Sequence, residues 1–291
     1  MKLSIVIVNY NDKELTLNLL DSVYRYPPLK EFEIIVVDNA SRDDSAAALR
    51  AAYPKIKIIE NPENRGFPPA VNQGIKASHG EYILLLNPDV TVTAGALETM
   101  LNFLAAHPKA GAAGCRIVNP DGSVQLSGKR FPDPLVMLFV TFNLHKLLPN
   151  NPITRKYYDA LEDYDQTHRV EHLMASCLMV KRSVIDEIGL MDENFFLYCD
   201  DVDWCYRIHL AGHEIWYLAD AYVVHAKGAT TKRESFRGIV EYHKSAWYFY
   251  KKYYYNKYPK ILSGLFFTGL QLRKWWFLAS NFFSREKKVK Y

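Results

Sequence analysis

The sequence predicts an α/β protein: a mostly parallel, Rossmann-like central sheet flanked by helices, followed by a C-terminal helical extension. Three observations predict it. Continuous apolar runs of four to seven residues, such as Ile34-Ile35-Val36-Val37 and Tyr82-Ile83-Leu84-Leu85-Leu86, read as strands buried on both faces. Segments with helical periodicity lie between them, which is the order of right-handed βαβ crossovers. Several of these strands also end in Asp or Asn: Val8-Asn9, Val37-Asp38 and Leu86-Asn87. In open α/β sheets ligands bind just beyond the carboxyl ends of the strands, so polar residues gathered there predict a site.

The elements follow in order. Residues 3–9 read as the first strand, and 12–25 as a helix with Leu15, Leu19, Leu20 and Val23 on one face. The second strand ends at Asp38-Asn39, and Asp43 or Asp44 can cap the helix that runs to about Ala52. Ile56–Ile59 is a third strand. A helix over 69–78 leads to the strand ending at Leu86, and another fills 94–106. Residues 119–170, rich in Pro, Asn, Asp and Tyr, read as an irregular excursion over the mouth of the site. A strand over 172–181, helices over 183–188 and 201–211, and two short strands near 214–217 and 222–225 complete the body.

At 291 residues there is ample core for one large domain or two small ones. The net charge of +4 hides an asymmetry: residues 231–291 carry 14 Lys+Arg against 3 Asp+Glu, leaving 22 against 29 for residues 1–230. An acidic body, 1–230, and a basic aromatic extension, 231–291, therefore face different partners. The four cysteines show no C-x-x-C pair and no zinc-ligand spacing, as expected of a reduced, cytoplasmic protein. No basic segment with a long apolar stretch opens the chain, and no run of about 18 uncharged apolar residues occurs, so neither a cleaved leader nor a spanning helix is expected.

Five constellations carry chemistry. Asp38 ends the second strand, where its carboxylate can accept the imide N–H of a pyrimidine or close an Asx turn. Asn64-Arg65-Gly66-Phe67 opens the loop before the helix carrying Asn72; Gly66 permits an unusual turn or a close approach to a ligand. Asn87-Pro88-Asp89 combines turn chemistry with a carboxylate able to hold a divalent cation that neutralises a diphosphate. Asp200-Asp201-Val202-Asp203 opens a helix, where capping and an i,i+4 pair between Asp203 and Arg207 account for some of the charge. Three carboxylates in four residues exceed that need, and one can serve as a general base. His225 ends the last strand, and the basic segment from Lys227 to Arg233 suits phosphate oxygens.

In order and spacing these segments resemble the inverting glycosyltransferases of family 2, which have the GT-A fold, and most nearly the bacterial rhamnosyltransferase-like branch. The resemblance rests on Ser4–Asn11, Val36–Ser41, Asn64–Phe67 leading to Asn72, Leu86–Asp89, Asp200–Asp203, His225–Gly228 and Tyr242–Ser245, and runs from residue 1 to about 255. It implies that Asp38, with backbone at Val8, Asn9 and Tyr10, contacts the base of a nucleoside-diphosphate sugar. It implies further donor contacts at Asn64, Arg65, Gly66, Asn72 and Asn87. Asp89 and His225 would hold Mg²⁺ or Mn²⁺, and Asp201 would be the base. Asn87 stands where a full D-x-D has its first Asp, and Asp200 replaces the commoner Glu. The branch implies dTDP-rhamnose as donor, UDP-hexoses next, and a polysaccharide or lipid-linked saccharide as acceptor. Rival readings are a nucleotidyltransferase and a non-catalytic nucleotide-sugar-binding or scaffold protein. The first would want a glycine-rich basic loop where Asn9-Tyr10-Asn11-Asp12 stands.

The extension alternates aromatic and basic residues over 242–258 and is apolar over 261–283, interrupted by Arg273-Lys274. That pattern predicts helices lying on an anionic membrane surface, peripherally on the inner face of the cell membrane. A homo-oligomer contact is the second reading. Nucleic acid is not expected, because the body is acidic and holds no nucleic-acid module.

Overall fold

The computed structural model describes residues 2–148, 151–153, 157, 164–226 and 235–283. Strand β1 (Leu3–Asn9) pairs in parallel with β2 (Phe32–Asp38) on one side and β4 (Tyr82–Leu86) on the other, and β2 pairs in parallel with β3 (Lys57–Glu60). Helices α1 (Lys13–Arg25), α2 (Ser45–Ala52) and α3 (Phe67–Lys76) make the crossovers. Beyond β4 the sheet becomes mixed. After β5 (Val90–Val92) and α4 (Ala96–Ala106), strand β6 (Ala110–Val118) is separated from β4 by antiparallel β10 (Cys177–Lys181).

The apolar runs are continuous because both faces are covered. On β1, Leu3, Ile5 and Ile7 enter one core cluster while Val6 enters a second on the opposite face. The register sets Asn9 opposite Asp38 and Ile7 opposite Leu86, so the polar strand ends meet at one edge. Gly74 lets α3 approach β1 closely: a Cβ there would fall 2.4 Å from Val6 Cγ1.

Three expectations are corrected. The strand expected over 172–181 is two strands, β9 (His172–Leu173) and β10, broken at Met174–Ser176. The two strands expected near 214–217 and 222–225 are one, β11 (Glu214–His225), parallel to β6 and antiparallel to β5, with a register shift between Leu218 and Tyr222. The excursion over 119–170 contains regular structure: β7 (Gly128–Lys129), α5 (Pro134–Thr141), α6 (Leu144–Leu147) and β8 (His168–Val170). The α5 start signal was present, since Asp133 precedes Pro134 and its Oδ1 accepts the Val136 N–H at 2.8 Å. Helix α7 (Arg182–Ile188) and helix α8 (Asp200–Leu210) fall where periodicity placed them.

The extension forms two helices, α9 (Ser235–Tyr253) and α10 (Lys260–Phe283). Much of the aromatic content of α9 is core: Phe249 and Tyr250 are fully buried with Phe195, Phe266 and Leu270. Among the described residues no helix is long and apolar enough to cross a membrane.

Candidate active site

At the edge of the parallel strands, Asn9 is fully buried and ties three elements together. Its Nδ2 donates to Asp38 Oδ2 at 2.7 Å and to Ser41 Oγ at 2.9 Å, and its Oδ1 accepts Thr16 Oγ at 2.7 Å from α1. Asp38 Oδ1 accepts the Ser41 N–H at 2.8 Å, so the Asx turn forms. Each carboxylate oxygen keeps a further lone pair, so Asp38 can still accept from a ligand. Val8 and Tyr10 are half-buried beside it.

The following loop is held by amides. Asn39 Nδ2 donates to Asn64 Oδ1 and to the Gly66 carbonyl, both at 3.0 Å, and Asn61 Nδ2 reaches Asn39 Oδ1 at 3.0 Å. Gly66 has φ +96°, and a Cβ there would lie 2.7 Å from the Phe196 carbonyl oxygen. The close approach is therefore to the protein's own loop before α8. Asn72 is turned away from the strand ends: Oδ1 accepts the Met191 N–H, and Nδ2 donates to Met191 O and Glu193 Oε1, at 2.9–3.0 Å. Arg65 is exposed.

Asn87-Pro88-Asp89-Val90 is a closed turn, the Val90 N–H reaching the Asn87 carbonyl at 3.1 Å. It delivers the buried Asp89 to the end of β11, where His225 Nε2 lies 3.2 Å from Asp89 Oδ1. Gln125, which carries no local sequence signal, completes this corner. Its Nε2 donates to the His225 carbonyl at 2.6 Å, which leaves Oε1 facing His225 Nδ1 at 2.9 Å. A carbonyl oxygen accepts only, so the amide orientation is fixed and His225 carries its proton on Nδ1. Nε2 then faces the Asp89 carboxylate. Lys227 to Arg233 lies outside the described residues.

The second acidic group opens α8. Tyr198 and Cys199 precede it with φ +67° and +60°, left-handed conformations that cost roughly 1–3 kcal/mol each. The loop is pinned from two sides, by Phe67 N–H on Phe196 O and by Ser245 Oγ on Leu197 O, both at 2.8 Å. Asp203 is fully buried and neutralised: Arg207 Nε lies at 3.0 Å, Lys252 Nζ at 2.6 Å and Tyr253 Oη at 2.7 Å. Asp200 and Asp201 have no such cation at contact distance among the described residues. Burial, then repulsion from Asp201, pushes the Asp200 carboxyl well above the usual range. Burial also raises Asp201, opposed by the Val202 and Ala175 N–H groups and by the charge of Lys129.

The break between β9 and β10 joins the two clusters. Ala175 N–H donates to Asp201 Oδ2 at 3.4 Å, and the next residue, Ser176, accepts the Asn87 N–H at 3.1 Å through its carbonyl. One short backbone segment thus spaces the Asp89 turn from the head of α8. Arranged this way, the site offers an imidazole and a carboxylate as cation ligands, and a separate partly exposed carboxylate with a raised proton affinity.

Solved structures place the fold. The mannosyltransferase PcManGT of Pyrobaculum calidifontis, determined with GDP-Man and Mn²⁺, matches 97% of this chain and 71% of its own with a TM-score of 0.59 at 19% identity. The fold is that of GT-A glycosyltransferases. The family model for glycosyl transferase family 2 matches residues 4–189, and the chain belongs to that family. It is 32% identical over 233 residues to the N-acetylglucosaminyl-diphospho-decaprenol L-rhamnosyltransferase of Mycobacterium tuberculosis, covering 74% of this chain and 73% of that protein. It is 26% identical over 159 residues to rhamnosyltransferase WbbL of Escherichia coli K12, covering 53% and 56%. The enzyme class and the rhamnosyltransferase-like branch expected from the motifs are borne out.

Proposed function

We propose that this glycosyltransferase moves a sugar from a nucleoside-diphosphate donor to a saccharide hydroxyl by direct displacement with inversion, Asp201 acting as base. The observation that carries the proposal is the separation of two acidic groups in different surroundings by the Met174–Ser176 link. Asp89 is paired with an imidazole, and Asp201 is left with a raised proton affinity. A base is most effective when its pKa lies near the working pH, and burial moves Asp201 in that direction. Burial and the Asp201 charge raise the proton affinity of Asp200 as well.

Asp89 and His225 would hold Mg²⁺ or Mn²⁺, and the donor set fits in kind: one hard carboxylate oxygen and one imidazole nitrogen facing it at 3.2 Å. Among the described residues no group of three or more His, Cys, Asp and Glu gathers around one point, so donor phosphates would complete the shell. When bound, the cation supplies charge to the departing diphosphate. The chain's own residues do the rest. Asp38 accepts from the pyrimidine imide, backbone at Val8–Tyr10 flanks the base, and Asp201 takes the acceptor proton as the new bond forms. Similarity to the mycobacterial rhamnosyltransferase supports dTDP-rhamnose as donor and a lipid-linked saccharide as acceptor, with UDP-hexoses the next choice.

The test is transfer from dTDP-rhamnose and from UDP-hexoses to a prenyl-diphosphate-linked amino sugar, by wild type and Asp201→Asn. Loss of roughly 10²–10⁴-fold in turnover with donor affinity retained is expected. Normal turnover by the variant removes the base assignment.

A further inference from the structure

Helix α10 is built with two apolar faces. One is buried: Phe266 and Leu270 pack on α9, and Gly269 lies so close to α5 that a Cβ would fall 2.5 Å from the Phe142 ring. The other is open to solvent. Ile261 is 76% exposed, Leu272 64%, Trp275 65%, Trp276 71% and Phe282 69%, with Leu265 in line between the first two. Their spacing follows the helical repeat, so they form one stripe along a helix about 36 Å long at 1.5 Å per residue. Scattered exposed apolar residues need no explanation, but a continuous stripe of this size marks an interaction surface.

Charge is excluded from the stripe. Between Lys260 and Phe283 the only charged residues are Arg273, which is buried with its guanidinium over the Phe277 ring, and Lys274, which donates to Gln271. Cations instead cluster at the ends. Lys251, Lys257 and Lys260 are exposed at the first end, and Arg285, Lys287, Lys288 and Lys290 follow the last described turn in sequence.

We infer that this face of α10 docks the enzyme on an anionic lipid surface, lying in the headgroup layer with the Lys257 and Lys260 end on lipid phosphates. A second copy is the poorer occupant. Residues 231–291 carry 14 Lys+Arg against 3 Asp+Glu, so two such extensions repel each other, whereas an anionic surface attracts one. Exposed tryptophans suit the same layer, since an indole is apolar in body and carries one polar N–H. The acidic body, with 22 Lys+Arg against 29 Asp+Glu over residues 1–230, is repelled by that surface, so the charge asymmetry also orients the molecule. Against the expectation for 242–258, Phe249 and Tyr250 of α9 supply core, and the exposed apolar stripe lies on α10. Helix α9 then ties the docked helix to the acidic cluster through Lys252 and Tyr253 on Asp203. The inference stands on this surface and does not depend on the donor or on the base.

The experiment is co-sedimentation of the full chain with vesicles of phosphatidylglycerol and phosphatidylcholine, and with phosphatidylcholine alone. Tryptophan quenching by brominated lipid is read alongside. Wild type should partition at least tenfold more strongly to the anionic vesicles, lose that preference in high salt, and be quenched. Trp275→Ser/Trp276→Ser should reduce partitioning at least tenfold with an unchanged circular dichroism melt, and Leu272→Gln should reduce it less. Equal partitioning of wild type and the double variant overturns the proposal. So does absence of vesicle binding together with a wild-type dimer, seen by light scattering, that the double variant breaks.

Discussion

Replacing Gln125 with leucine should weaken divalent-cation binding without touching either cation ligand. The side chain is buried and makes three hydrogen bonds: to His225 Nδ1 at 2.9 Å, to the His225 carbonyl at 2.6 Å and to Asn119 Oδ1 at 2.8 Å. At about 0.5–1.5 kcal/mol each, their loss costs roughly 1.5–4.5 kcal/mol of stability. The functional effect is separate. Without Oε1 nothing holds the ring by Nδ1, and the imidazole can turn Nε2 away from Asp89. Partners that orient a metal-bound histidine are typically worth 10–100-fold in affinity, or about 1.4–2.7 kcal/mol. The assay is calorimetric titration of Mn²⁺ into protein saturated with nucleoside diphosphate, with free Mn²⁺ followed by electron paramagnetic resonance. Gln125→Leu should bind 10–100-fold more weakly. Gln125→Glu, which restores an acceptor at Nδ1, should recover most of that loss. Wild-type affinity in Gln125→Leu would refute the orientation argument, whatever happened to the melting temperature.

Two further outcomes test the electrostatics of α8. Asp200 has its folded-state pKa raised by burial and by Asp201, so ionising it opposes folding; that opposition is present at neutral pH and fades as pH falls through the folded value. Asp200→Asn should therefore raise the melting temperature at pH 7, by an amount that shrinks in scans toward pH 4; no rise at pH 7 would contradict the assigned cause. Lys252→Met leaves the fully buried Asp203 with Arg207 and Tyr253 alone, and should cost about 2–4 kcal/mol, less than the 3–5 of a buried pair left with no partner. A double-mutant cycle with Asp203→Asn read by urea unfolding should show coupling above about 1 kcal/mol, and additive effects would mean that the clamp contributes nothing.

The parallel half of the sheet was legible because its signals are local. An apolar run ending in Asp or Asn names both a buried strand and its ligand edge, and β1, β2 and β4 follow that rule. What failed was information carried by distant partners. β11 reads as two strands because Asp220 interrupts its apolar pattern, while pairing with β6 and β5 carries the backbone through the irregularity. The internal partners of Asn72 and Gly66, Met191 and Phe196, lie more than a hundred positions away and leave no local signal. Gln125 lies a hundred positions from the histidine it orients, and no periodicity reports such a pair. Of the Asp200–Asp203 group, only the i,i+4 link from Asp203 to Arg207 was readable; Lys252 and Tyr253 arrive from α9. The aromatic–basic alternation over 242–258 has the composition of a lipid-facing helix, but α9 packs inward and leaves α10 exposed.

Titration calorimetry of dTDP, UDP and GDP into the purified chain, each with and without Mn²⁺, on wild type and Asp89→Asn, tests the donor site most directly. The predicted result is metal-dependent binding of dTDP or UDP to wild type, lost at least tenfold in the variant. Binding of no nucleotide, or binding indifferent both to Mn²⁺ and to Asp89, would contradict the account.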